Sequence, residues 1–181
     1  MRRLAIVALL LAALPLVARA HAVVYPRTST PGAYERYVLR VPNERDAATT
    51  RIEIRFPGGA RVLSFEDVPG WTLSIVRDSA QRIVGAVWTG ILQPERFVEL
   101  PFIAVNPREA GRLDWPVFQT YANGERVEWT GAEESERPAS FTTIAATGAS
   151  TGTASRLPLW LAIAALLVAI LALVRPAARR A

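Results

Sequence analysis

Six consecutive residues, Arg51-Ile52-Glu53-Ile54-Arg55-Phe56, alternate charge and hydrocarbon without a slip. Successive side chains of a strand point to opposite faces, so this segment has one apolar and one charged face only if it is extended. Leu113, Trp115, Val117, Gln119 and Tyr121 alternate in the same way. Ala22 to Tyr25, Tyr34 to Val41, Arg61 to Phe65, Trp71 to Arg77, Ile83 to Thr89, Phe97 to Val105, Glu125 to Thr130 and Ser140 to Ile144 are further strand candidates. Pro57-Gly58-Gly59, Pro69-Gly70 and Asn106-Pro107 break the pattern between them, and Asn123-Gly124, both tolerant of positive φ, predicts a hairpin. The 3.6-residue period is scarce and no internal repeat is present. About nine or ten short strands at this spacing predict an all-β fold, an antiparallel β-sandwich.

A sequence pI near 10.6 invites a nucleic-acid partner until the charge is located. All 21 basic residues are arginine. Residues 21 to 156 hold 15 arginines and all 16 carboxylates, so the cationic excess sits at the two ends: Arg2, Arg3 and Arg19 in front, Arg175, Arg179 and Arg180 behind. Phosphate-backbone binding needs a clustered cationic face without balancing carboxylates, and the middle of the chain supplies none, which excludes nucleic acid as the expected partner.

The ends also carry the hydrophobic excess. Arg2 and Arg3 precede an apolar run from Leu4 to Val17 and then Ala18-Arg19-Ala20, the layout of a secretory signal peptide over residues 1–20. Cleavage after Ala20 leaves His21 as the first residue. A rival cut after Ala22 also fits the small-x-small rule and removes the histidine. At the other end Leu157 to Val174 is free of charge and at about 1.5 Å per residue spans roughly 27 Å, enough for one transmembrane helix. The arginines of 175–181 then form a short cytoplasmic tail. Residues 145–156, built of Ala, Thr, Gly and Ser before Arg156, read as a flexible stalk. The expected arrangement is a domain over 21–144 on the extracytoplasmic side of the cell membrane, held by a single span.

Subtraction narrows the chemistry. The chain has no cysteine, and its one methionine, Met1, leaves with the leader. Disulfides, thiolate nucleophiles, iron–sulfur ligation and a thioether Cu(I) site are therefore excluded from the mature domain. The single histidine, His21, also leaves no interior histidine for a catalytic relay or a multi-histidine zinc site. Glu133-Glu134-Ser135-Glu136 could pair carboxylates but reads as a solvated loop beside Arg137-Pro138. No enzyme is expected.

One constellation remains. A free N-terminal histidine presents its α-amine and its Nδ1 to the same metal in a six-membered chelate ring. Nitrogen and oxygen donors in a tetragonal set suit Cu(II) best among the divalent first-row metals, with Ni(II) and Zn(II) behind. A carboxylate would complete such a site.

The mature start His21-Ala22-Val23-Val24-Tyr25-Pro26, then Tyr37-Val38-Leu39-Arg40-Val41-Pro42-Asn43-Glu44, Pro69-Gly70-Trp71, Val87-Trp88-Thr89-Gly90, and Gln119-Thr120-Tyr121-Ala122-Asn123-Gly124 leading to Trp129, resembles the YcnI-like family. The resemblance covers nearly the whole domain in order. It implies a bacterial extracytoplasmic copper-binding protein with a cupredoxin-like sandwich, often encoded beside copper-import membrane proteins of the CopCD type. It further implies a monohistidine brace on Cu(II), which falls here on His21, with a glutamate falling on Glu44 and a tryptophan on Trp129. The family's valine after the histidine is Ala22 here, the substitution that creates the rival cleavage site. Glu35 and Glu53 lie near Glu44 in sequence and compete for the carboxylate role. Trp71, Trp88 and Trp115 are expected in the core.

The expectation is thus a membrane-tethered Cu(II)-binding protein that captures copper and hands it to a membrane importer without turnover. Two other classes stand beside it. A copper oxidative enzyme would need a second histidine in its brace, and a metal-independent envelope interaction module would make no use of His21.

Overall fold

The computed structural model describes residues 21–146, and the leader, stalk, apolar run and tail inferred above lie outside the described residues. Twelve strands and no helix make up the described part: β1 (Val23–Tyr25), β2 (Thr28–Ser29), β3 (Tyr34–Asn43), β4 (Thr49–Arg55), β5 (Arg61–Phe65), β6 (Trp71–Arg77), β7 (Ile83–Leu92), β8 (Arg96–Val105), β9 (Gly111–Trp115), β10 (Val117–Tyr121), β11 (Arg126–Trp129) and β12 (Ser140–Ile144). They form a four-stranded sheet ordered β1-β3-β8-β5, a five-stranded sheet ordered β11-β10-β4-β7-β6, and a small third sheet ordered β2-β12-β9.

The alternation that predicted strands also sorts the faces. Tyr37, Leu39 and Val41 of β3 and Leu100, Phe102 and Ala104 of β8 point inward and meet Ile52 and Ile54 of β4 and Ala86 and Trp88 of β7. At roughly 25 cal/mol per Å² of apolar area removed from water, this layer is the main stabilising contribution. Tyr37, Phe102 and Trp115 share it as an aromatic cluster with centroid separations of 4.9–5.8 Å. Trp88 and Trp115 are fully buried as expected, whereas Trp71 is only partly buried against the core.

Two features depart from the sequence pattern. Leu113 to Tyr121 is not one strand but two, because Pro116 has no N–H to continue a ladder. Its carbonyl accepts from Arg55 N at 2.9 Å, and the chain passes there from the third sheet to the second. The inward period survives this switch, which is why it read as continuous. The two-residue strand β2 pairs in parallel with β12 and is too short to show any period.

The register also fixes two ends. Asn43 pairs with Arg96 at one end of the first sheet, and Tyr34, Val105 and Arg61 lie in one row at the other. The last described residues leave at this second end, since Ile144 pairs with Gly111 and Ser29 and Ala145 N donates to Ser29 O.

Candidate functional site

Extending the β1–β3 register by two residues beyond Val23↔Arg40 places His21 beside Pro42, on the outer edge of the first sheet. The facing edge of the second sheet is β11, and its last residue is Trp129. The two edges close on each other there. The His21 and Trp129 rings meet edge to face, with centroids 5.4 Å apart and planes at 76°.

These two side chains wall a cleft of about 290 Å³ whose lining also includes Pro42, Glu44, Arg45, Tyr121, Glu136 and Arg137. Glu44 enters from the connection after β3. Buried Asn43 shapes that connection: its Nδ2 donates to Ala47 O at 2.9 Å and Leu92 O at 3.0 Å, and its Oδ1 accepts from Arg45 N at 3.1 Å. The competing carboxylates lie elsewhere. Glu35 accepts from Ser29 at the far end of β3, and Glu53 sits among Arg51 and Arg55 at 3.1 and 3.5 Å. The structure therefore brings together His21, Glu44 and Trp129 and leaves Glu35 and Glu53 out.

Charge in the cleft is balanced. Arg45 pairs with Glu125 at 2.6 Å and lies 5.1 Å from the Tyr121 ring centroid. Burial pushes the Tyr121 hydroxyl up, against the pull of the Arg45 cation.

Spacing alone did not reveal the group beneath the cleft. Gln119, fully buried on β10, accepts a hydrogen bond from Trp129 Nε1 at 3.3 Å. Its Nε2 donates to Pro42 O at 3.0 Å and Thr49 Oγ1 at 2.8 Å. One amide thus fixes the indole edge and ties β10 to the strand beside His21. The clue was present: a polar side chain occupied an inward position in the Leu113–Tyr121 alternation, where an unpaired amide would be costly. Glu136, expected in a purely solvated loop, also faces the cleft, because the turn from Gly131 to Pro138 folds back on itself through Gly131 N to Arg137 O at 2.9 Å.

As a donor set the cleft offers an imidazole and carboxylates, the nitrogen and oxygen mixture that suits a borderline divalent cation. Among the described residues no three His, Cys, Asp or Glu side chains stand at metal-ligand spacing. The nitrogen of residue 21 becomes a further donor only when the preceding peptide bond is cut.

Known proteins resemble this chain. A family model described as a domain of unknown function, DUF1775, matches residues 21–144. The copper-binding protein CutI of Bacillus subtilis (strain 168) is 33% identical over 129 residues, covering 70% of this chain and 63% of that protein. The chain thus spans less than two thirds of that relative's length. An uncharacterized protein from Nocardia farcinica, whose crystal structure reveals an immunoglobulin-like fold, superposes with a TM-score of 0.60 at 27% identity, covering 69% of this chain and 98% of that one.

Proposed function

This chain belongs to the DUF1775 family, of YcnI-like proteins, and from that premise we propose that it captures Cu(II) outside the cytoplasmic membrane and passes it to a membrane copper importer of the CopCD type, without chemical turnover. Cleavage after Ala20 frees the amine of His21. Amine and Nδ1 then grip one cupric ion as a chelate, Glu44 supplies an oxygen donor, and Trp129 shields one side. Three protein donors leave coordination positions open to water or to a donor of the receiving protein, which suits transfer rather than storage. Tethering through 157–174 keeps the domain near the importer at high effective concentration.

The observation that carries this reading is the His21–Trp129 contact at 5.4 Å over a cleft that also holds Glu44, in a chain with no other histidine. The test begins with the mature N-terminus, read by mass spectrometry, and continues with Cu(II) titration followed by electron paramagnetic resonance. Material beginning at His21 gives mixed nitrogen and oxygen hyperfine features. One residue added before His21, or His21→Ala, abolishes them. Mature protein that begins at Val23, or copper uptake undiminished after acetylation of the terminus, overturns the proposal.

A further inference from the structure

A second groove is larger than the proposed copper cleft. It holds about 530 Å³ and lies diagonally across the molecule, between the opposite sheet edges and at the opposite end. Phe56, Val62 and Ile83 line it with hydrocarbon, and Arg61, Arg77 and Arg82 stand around it. Arg82 is paired with Asp78 at 2.7 Å. Arg77 donates to Gln81 O at 2.9 Å within its own turn, and Arg61 has no carboxylate partner among the described residues. Three guanidiniums thus surround an apolar slot with one carboxylate between them.

The same end is where the described chain leaves the domain. A Cβ built on Gly59, in the groove wall, would lie 3.5 Å from Leu113 and 3.6 Å from Pro107, and the chain exits past the neighbouring Gly111–Ile144 pair. From Ala146 the sequence has only residues 147–156 before the apolar run begins at Leu157, a reach of at most about 35 Å when fully extended. Tyr34, 68% exposed, shares the row of Arg61 across Val105. A tyrosine and arginines at one rim are the side chains that settle at a headgroup boundary, with apolar stems inward and polar tips in water.

We infer that this groove binds the phosphate of an anionic membrane lipid, with Arg61 and Arg77 on the phosphate oxygens and Phe56, Val62 and Ile83 against the glycerol and first methylenes. The inference rests on the membrane-tethered reading above. Guanidinium matches phosphate in two-point hydrogen bonding, and the hydrocarbon floor selects a lipid over a free ion. The consequence is orientation. With the groove on the bilayer, the far end of β3 and the copper cleft stand about 30 Å further out, facing a partner rather than the lipid.

The test uses the full chain in nanodiscs of phosphatidylcholine alone or with phosphatidylglycerol, read by amide hydrogen exchange. Phosphatidylglycerol is expected to slow exchange in 57–63 and 77–84 by about tenfold, leaving β3 and β8 unchanged. Arg61→Gln with Arg77→Gln removes that protection while exchange elsewhere stays as in the parent, which controls for folding. Equal exchange in the two lipids overturns the inference, as does the same protection from inorganic phosphate in phosphatidylcholine discs. Failure of the chain to co-float with phosphatidylcholine vesicles counts instead against the tethered reading. The exchange on phosphatidylglycerol still decides the groove.

Discussion

Each end of the sandwich buries a cluster of polar side chains where hydrocarbon would be cheaper. Beneath the His21–Trp129 cleft, Gln119 joins Thr49, Pro42 and Trp129. At the end where the chain exits, the Tyr37 hydroxyl donates to Asn106 Oδ1 at 2.6 Å, Asn106 Nδ2 donates to Ser29 Oγ at 2.8 Å and Thr30 O at 2.9 Å, and Ser29 donates to Glu35. Both clusters are fully satisfied, since no buried side-chain nitrogen or oxygen among the described residues lacks a partner. They differ in where their hydrogen bonds end. The exit cluster terminates on the partly buried Glu35 carboxylate and on the turn backbone, so it staples the β2 segment to β3 and β8. The cleft cluster terminates on the partly buried indole of Trp129, so it spends the same chemistry on placing one ring of the cleft wall. A buried amide can hold a fold together or aim a side chain, and the last acceptor or donor in the chain decides which.

The comparison is broken most severely at Asn106. Asn106→Leu removes three side-chain hydrogen bonds at once, the acceptor of the buried Tyr37 hydroxyl among them, an expected loss of about 4 kcal/mol. Denaturant unfolding monitors this directly. Copper binding by the variant, measured under conditions where it remains folded, is expected to match the parent. A copper spectrum altered as much as the stability would mean the two ends are not independent.

Gln119→Leu carries the smaller structural loss, about 2 kcal/mol, but is expected to reach the proposed metal site. Without its acceptor the indole N–H of Trp129 turns toward water and the edge contact with His21 is lost. The quenching of tryptophan emission by Cu(II) is expected to fall, as is expected also of Trp129→Phe, with the electron paramagnetic resonance spectrum shifted in Gln119→Leu. Gln119→Glu keeps an acceptor for the indole and restores the quenching. If Gln119→Leu lowers stability while quenching and spectrum stay fixed, the amide is only a staple like Asn106.

How far these roles could be read from the sequence follows the same division. Strand faces were legible because a two-residue period is local: the bounds of β5, β6 and β12 coincide with the expected runs, and Asn123-Gly124 closes the β10–β11 hairpin with Gly124 at φ 84°. Pro116 was the exception, because a sheet switch preserves the inward period while ending the ladder. Glu44 could not be separated from Glu35 and Glu53 by alternation, which assigns a face but not a position along the sandwich. The register of β3 against β8 puts Glu35 and Glu44 at opposite ends. The meeting of His21 with Trp129 is a contact between edges of two different sheets, and no spacing within either strand encodes it. Only the family resemblance pointed to both residues. The groove ringed by Arg61, Arg77 and Arg82 was invisible to charge counting, since the domain is nearly neutral as a whole.

Tyr37→Phe is the mildest change at neutral pH and the sharpest on the titration axis. The ring keeps its stacking on Phe102 and Trp115, so what is lost is the hydroxyl's hydrogen bonding with Asn106 and Ser29, about 1 kcal/mol. In the parent, burial, with the Glu35 charge behind it, pushes the Tyr37 hydroxyl up to about 12, while its hydrogen bonding with Asn106 and Ser29 pulls it partly back. The unfolded chain releases that proton near its ordinary value of 10. The folded state therefore keeps a proton that the unfolded state has lost throughout the window from 10 to 12. The contribution to stability is complete below pH 10 and drains away as pH rises toward 12, by roughly 2–3 kcal/mol across the window. Chemical denaturation at a series of alkaline pH values is expected to show this decline in the parent and a flatter profile in Tyr37→Phe, so that the two curves approach or cross at the alkaline limit. Parallel curves would place the alkaline sensitivity on another group, with Tyr121 beneath the cleft, also pushed up by burial, the next to be replaced by phenylalanine.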